Sequence, residues 1–373
     1  MQRHHDLDFL RAFAMMMGLV FHAPLLFWFP DFAKVYGIEN IAPAEEWVNI
    51  LGRFISSWRM PLFFSLSGFF AILVIERKGI SQFLKDRIIR VGLTCLVFSA
   101  LYDISDGRFD YTTMHLWFLY ELIIFVFCFS ILYKFRFIKN LLRMKISAKI
   151  LLLLGIWLIS TVPLAYILNN LWHPLALKAS SGYFDLKIGN MLYYFSYFLA
   201  GVILYSNQNI LIKLQNTKTI FLLSVLSILA FFVRVYSDHL TIGQADNLSN
   251  VAKMDFNPIL VFFSACMIGM NSVLFCLFFI GLASKFIKSG STILSWFVEL
   301  SYPIYIIHII PITMMTAVFY NAGFNQFSIL PLTVIAGFAV CVILYYVFIK
   351  FTPVNWLING YSKSSFKIKF LGG

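Results

Sequence analysis

Arg11 and His22 stand eleven residues apart in a stretch, residues 9–29, that is otherwise almost wholly apolar. A helix turns roughly 100° per residue, so eleven steps return to within about 20° of the starting direction. Both side chains therefore share one face, about 16 Å apart along the axis at ~1.5 Å per residue. Asp8 precedes Arg11 by one turn on nearly the same face and is placed to pair with it. Ionisable groups within a membrane span are costly, and they face a protein interior or a wet cavity. An imidazole in such a place can accept a proton from a substrate and return it. The guanidinium at the other end can hold an anion.

Other polar side chains interrupt the apolar pattern in the same way. Arg87 and Arg90 form an R-x-x-R pair at the start of the third apolar stretch, and an i, i+3 spacing suits two forked guanidiniums to phosphate oxygens. Basic residues at cytoplasmic flanks also arise from orientation alone. Arg59 lies about a turn and a half inside the second stretch, and Glu121 at similar depth in the fourth, where opposite charges can pair. His115 stands at the outer end of the fourth. His308 lies near the middle of the ninth with Tyr305 on its face, and Ser301 and Tyr305 share a face as well. These make a second polar stripe. No metal-ligand spacing, P-loop or dinucleotide fingerprint is present, so no metal and no permanently bound cofactor are expected.

The elements that must position these residues are membrane helices. Of 373 residues, 60% are hydrophobic and only 12% charged, with a mean hydropathy of +0.83. A soluble domain would carry about twice that charge. The pattern predicts an all-α polytopic membrane bundle of about ten transmembrane helices, near 7–29, 54–75, 88–104, 115–133, 150–168, 190–206, 219–236, 257–283, 293–319 and 327–350. With both termini cytoplasmic, 20 of the 29 basic residues fall on the cytoplasmic side. The net charge of +12 is then an orientation signal and gives no reason to invoke nucleic acid. The five cysteines all fall within spans, so no disulfide is expected. Trp47, Trp172, His173, Tyr183 and Tyr236, in the longer outer segments, read as interfacial anchors. The loops are short, and residues 1–373 read as a single integral membrane domain without internal repeats.

Taken in order, the motifs resemble the acyltransferase-3 family of bacterial membrane O-acyltransferases. The matching stretches are Leu7-Asp8-Phe9-Leu10-Arg11-Ala12 running on to His22, and Trp58-Arg59-Met60-Pro61 through Ser67-Gly68-Phe69-Phe70. Arg87-Ile88-Ile89-Arg90-Val91-Gly92, His115-Leu116-Trp117-Phe118-Leu119 and Ser301-Tyr302-Pro303-Ile304-Tyr305-Ile306-Ile307-His308 follow. The resemblance spans nearly the whole chain. The phrases around Arg59–Gly68 and His115–Leu119 are similar to the subgroup containing the periplasmic glucan succinyltransferase.

The resemblance implies transfer of an acetyl or succinyl group from cytoplasmic acyl-CoA, a co-substrate, to a carbohydrate hydroxyl outside a bacterial inner membrane. It implies that His22, assisted by Arg11, is catalytic and that Arg87 and Arg90 engage CoA. His22 then acts as general base or, alternatively, as a transient acyl carrier. Glu121 and His308 are further catalytic candidates. Arg59, His115 and Tyr305 are candidates for acceptor binding or oxyanion stabilisation, with a backbone amide near Ser65–Gly68 as another oxyanion donor. The expected partners are acyl-CoA, a carbohydrate acceptor and membrane lipid, with oligomeric state open. A polysaccharide or organic-anion transporter is the competing reading, and the lack of repeats and of paired broken helices weighs against it.

Overall fold

A computed structural model of the chain describes residues 4–105, 107, 112–143, 145–169, 182–242, 257–360, 364 and 366. Trp172 and His173 lie outside the described residues. Regular structure among the described residues is helical, apart from an isolated bridge between Thr112 and Gly182. In chain order the helices are α1 (His5–His22), α2 (Leu25–Trp28), α3 (Pro30–Ala33), α4 (Glu46–Arg87) and α5 (Thr94–Ser105). They continue with α6 (Trp117–Leu132), α7 (Arg136–Arg143), α8 (Ala148–Leu168), α9 (Ile188–Ser206), α10 (Asn209–Leu214) and α11 (Thr217–Ile242). The rest are α12 (Pro258–Phe286), α13 (Thr292–Ile307), α14 (Ile309–Asn321), α15 (Gln326–Leu344) and α16 (Val354–Asn359). Wider π-helical turns at Ile88–Leu93 and Tyr345–Ile349 join α4 to α5 and extend α15.

Among the described residues, seven helices are long and apolar enough to cross a membrane, or eight if α13 and α14 are one broken span. This is fewer than the expected ten, for identifiable reasons. Two expected spans run together as one 60-residue helical stretch, Glu46–Ser105. Helix α1 carries three charged residues, Asp6, Asp8 and Arg11, in its 18. The outward faces are those of a protein in lipid: α8 exposes Leu152, Leu153 and Ile156, and α11 exposes Phe221, Leu229 and Phe232. Arg59, Glu121, His22, His115 and His308 are instead buried, as a bundle solvated by hydrocarbon requires.

Three backbone features set the site. The expected first span, 7–29, does not continue as one helix. It stops at His22 because Pro24 lacks an N–H and its ring cannot follow the preceding turn. The expected ninth span, 293–319, breaks at His308, with α13 and α14 bent by 75°. Pro311 is tolerated there because it falls in the first turn of α14, where backbone N–H groups have no intrahelical partner anyway. Helix α4 is interrupted at Gly79, whose φ of +80° an L side chain rarely adopts.

Helices α4 and α9 cross closely. A Cβ on Gly68 would run into the Phe198 carbonyl, and one on Gly201 into the Ser65 carbonyl. Ser65 Oγ donates to Tyr197 O across the same crossing at 3.1 Å. Small residues allow membrane helices this approach. The Ser65–Gly68 stretch therefore belongs to a packing surface, and its backbone N–H groups lie inside a continuous helix.

Candidate functional site

One face of α1 carries Arg11, Met15, Gly18 and His22, at offsets of 0, 4, 7 and 11. It begins in a cavity of about 860 Å³ at one end of the bundle. Arg11, Arg77, Lys78, Arg87, Arg90 and Lys350 line this cavity, against three carboxylates, Asp8, Asp86 and Glu299. Arg11 Nη2 lies 3.4 Å from Asp8 Oδ1, and its guanidinium sits over the Phe70 ring at 4.6 Å. Arg90 Nη1 lies 3.5 Å from Asp86 Oδ2. Arg87 rests on the Phe83 ring at 5.4 Å. The π-helical turn begins right after Arg87 and includes Arg90, and both side chains reach the cavity wall. Such turns recur at functional sites because they re-aim side chains.

Met15, Phe63, Leu119 and Ser301 also line the cavity. One turn beyond Met15 is Gly18. A Cβ there would lie 2.6 Å from Tyr305 Cε2 and 2.9 Å from Arg59 Nη1. The missing side chain gives room to the Arg59 guanidinium and the Tyr305 ring. Arg59 is 4% exposed, and its cation lies over Phe21 at 4.9 Å and Tyr305 at 5.9 Å. Its Nε and Nη1 have no hydrogen-bonding partner among the described residues.

Past this point three imidazoles meet. Ring centroids are 5.1 Å apart for His22 and His308, 5.2 Å for His115 and His308, and 6.3 Å for His22 and His115. The helix break explains their orientation. Carbonyls at the end of α13 lose helical partners, and side chains replace them. His308 Nδ1 donates to Tyr305 O at 2.6 Å. His115 Nε2 donates to Ile306 O at 3.0 Å, where Tyr102 Oη also donates at 2.8 Å. A carbonyl only accepts, so these bonds place the protons on His308 Nδ1 and His115 Nε2. In the neutral rings, His308 Nε2 and His115 Nδ1 are then acceptors. Neither has a partner among the described residues, and neither does either nitrogen of His22. Buried polar atoms without partners are rare. A cluster of them, with Arg59 beside it, marks a place built for a polar guest.

Arg11, Arg87, Arg90 and Asp8 thus share the cavity, while His22, His115, His308, Tyr305 and Arg59 form a separate buried cluster, whose His22 lies two turns of α1 past the cavity-lining Met15. Glu121 is fully buried on α6, and Tyr194 lies within electrostatic reach of both Glu121 and Arg59. The cluster holds no geometry for a metal ion among the described residues. Gly18 and Tyr102 belong to this site but are absent from the expectations. Gly18 carried a signal, as the small residue on the Arg11–His22 face, whereas nothing local distinguishes Tyr102 from a lipid-facing aromatic.

A family profile described as "Acyltransferase domain", acyltransferase-3, matches residues 4–346. Among curated proteins, the "Glucans biosynthesis protein C" of Escherichia coli strain K12 is 33% identical over 95 residues. That of E. coli O1:K1 / APEC is 32% identical over the same length. In both, the match covers 26% of this chain and only 23% of the relative. No solved structure matches the chain.

Proposed function

The chain belongs to the acyltransferase-3 family, and on that premise we propose that it moves an acyl group, acetyl or succinyl, from acyl-CoA to a carbohydrate hydroxyl across a bacterial inner membrane. The donor enters the basic cavity from the cytoplasm, its phosphates held by Arg87, Arg90 and Arg11. Its thin pantetheine arm follows the Met15–Gly18 face and brings the thioester to His22. The acceptor arrives from the other side of the bundle. The name of the Escherichia coli relatives favours a glucan as acceptor.

A lone pair of His22 takes the acceptor proton as the hydroxyl oxygen attacks the thioester carbonyl. The tetrahedral oxyanion is met by Arg59 Nε and Nη1, which have no competing partner among the described residues. Collapse breaks the C–S bond, forms the ester, and returns the proton from His22 to the departing thiolate. His308 and His115 hold their rings in fixed tautomers around His22, and Tyr305 keeps Arg59 in place. The observation that carries this reading is the meeting of three imidazoles with a guanidinium whose Nε and Nη1 have no partner among the described residues, on a helix face that continues from a cavity rich in cations.

The test is transfer of label from radioactive acyl-CoA to glycan in membranes. His22→Ala is expected to lower it by about 10²–10⁴-fold without loss of the inserted protein. Transfer within a few-fold of the parent would remove His22 from catalysis.

A further inference from the structure

The family match ends at residue 346, but the cavity does not. Lys350, Asn355 and Asn359 form part of its wall. After the π-helical turn the chain reverses at 351–353, and α16 comes back against the other π-helical turn, Ile88–Leu93. The C-terminal carbonyls of α16 have no helical partners. Thr94 Oγ1 donates to Leu357 O at 3.0 Å, and Arg90 Nε donates to Ile358 O at 3.2 Å. Ile358 is fully buried. Gly360 then turns the chain with φ +85°, and a Cβ there would lie 3.3 Å from Arg90 Cδ. Tyr302 Oη donates to the Arg90 carbonyl. The Arg90 side chain is therefore set by this segment as much as by its own helix.

Three side chains of the segment, Lys350, Asn355 and Asn359, line the same space. Lys350 Nζ stands 3.7 Å from Glu299 Oε1, a carboxylate that also accepts from Tyr345 Oη at 2.9 Å. Its ammonium also lies over the Tyr346 ring at 4.6 Å, at a half-buried site. Asn355 is buried and braced, donating to Lys350 O at 2.8 Å and accepting from Asn359 Nδ2 at 2.7 Å. Among the described residues this uses one N–H of Asn359, whose side chain lines the cavity.

We propose that residues 350–360 complete the donor site: Lys350 and Asn359 bind the phosphate-bearing head of a nucleotide thioester, and the Ile358 carbonyl aligns Arg90 toward it. This rests on the acyl-CoA reading above. A phosphate presents several acceptor oxygens, and an ammonium, a carboxamide and a guanidinium that line one cavity from separate elements match it.

The experiment measures binding of free coenzyme A to the purified full-length protein in lipid nanodiscs. Lys350→Ala and Asn359→Ala are each expected to weaken binding roughly threefold to tenfold, with Lys350→Arg near the parent value and the acceptor KM unchanged. An unchanged melting midpoint in each variant keeps the loss local. If the parent binds coenzyme A, Arg87→Lys weakens it, and neither Lys350→Ala nor Asn359→Ala does, the C-terminal wall is rejected while the donor reading stands. If the parent does not bind coenzyme A at all, both fall together.

Discussion

His308 has two tasks that one substitution can separate. Its Nδ1–H caps the Tyr305 carbonyl at the helix break, and its ring lies 5.1 Å from that of His22, with Nε2 unpartnered among the described residues. Asparagine offers an N–H at a similar distance along the side chain but no basic nitrogen. His308→Asn should keep the melting midpoint near that of the parent while lowering acyl transfer by roughly 10–100-fold. Full activity would reduce His308 to a cap. Gly18 provides a complementary case, because it touches neither donor phosphates nor acceptor. Gly18→Ala would push a methyl into Tyr305 and Arg59. A misplaced oxyanion donor lowers the rate of the chemical step, so kcat should fall about tenfold or more. The hold on the donor phosphates should persist, since Arg87 and Arg90 are untouched, so donor affinity should change less than kcat. A change confined to donor affinity would show that Arg59 serves binding instead.

At the scale of elements, the sequence is informative about helices and poor on their interruptions. Each expected apolar segment contains a helix, because hydropathy reports burial in lipid directly. The breaks at Pro24 and His308 and the two π-helical turns escape it, since averaging over a window discards backbone direction. Pro24 and Pro311 are visible as letters, but proline is common in membrane helices and does not by itself mark a break. His308 reads as a midspan residue, yet it is the hinge that frees the carbonyls which His115, Tyr102 and His308 itself then occupy. The close crossing of α4 and α9 is likewise hidden, because its glycines lie in separate helices far apart in sequence. Gly201→Leu should force that crossing apart, with a loss of stability beyond about 3 kcal/mol. The readout is a lower melting midpoint in detergent, and a parent-like midpoint would mean that the helices slide without cost.

Over the whole molecule, the Arg11–His22 face is the part of the site that spacing alone reveals. The meeting of His22, His115 and His308 is not, because it joins α1, the approach to α6 and a broken helix across nearly 300 residues of chain. The outer wall made by Lys350 and Asn359 is equally hidden, since in sequence Lys350 is one more basic residue at a helix end. Charge sorting, by contrast, is a whole-chain property, and it makes a prediction that geometry can sharpen. The cations of the cavity, Lys78 among them, lie at one end of the bundle. Lys34 follows the break after α1, twelve residues past His22 in sequence, and is exposed. If the basic end is cytoplasmic, single cysteines at positions 78 and 34 will differ in intact cells, in a background lacking the five native cysteines. A membrane-impermeant maleimide should label position 34 and spare position 78. Inside-out vesicles should reverse the pattern, and acyl-CoA added to them should support transfer without detergent. Labelling of position 78 from outside would invert the bundle. It would place the cation-rich cavity where no coenzyme A is available, and the assignment of donor and acceptor sides would fall with it.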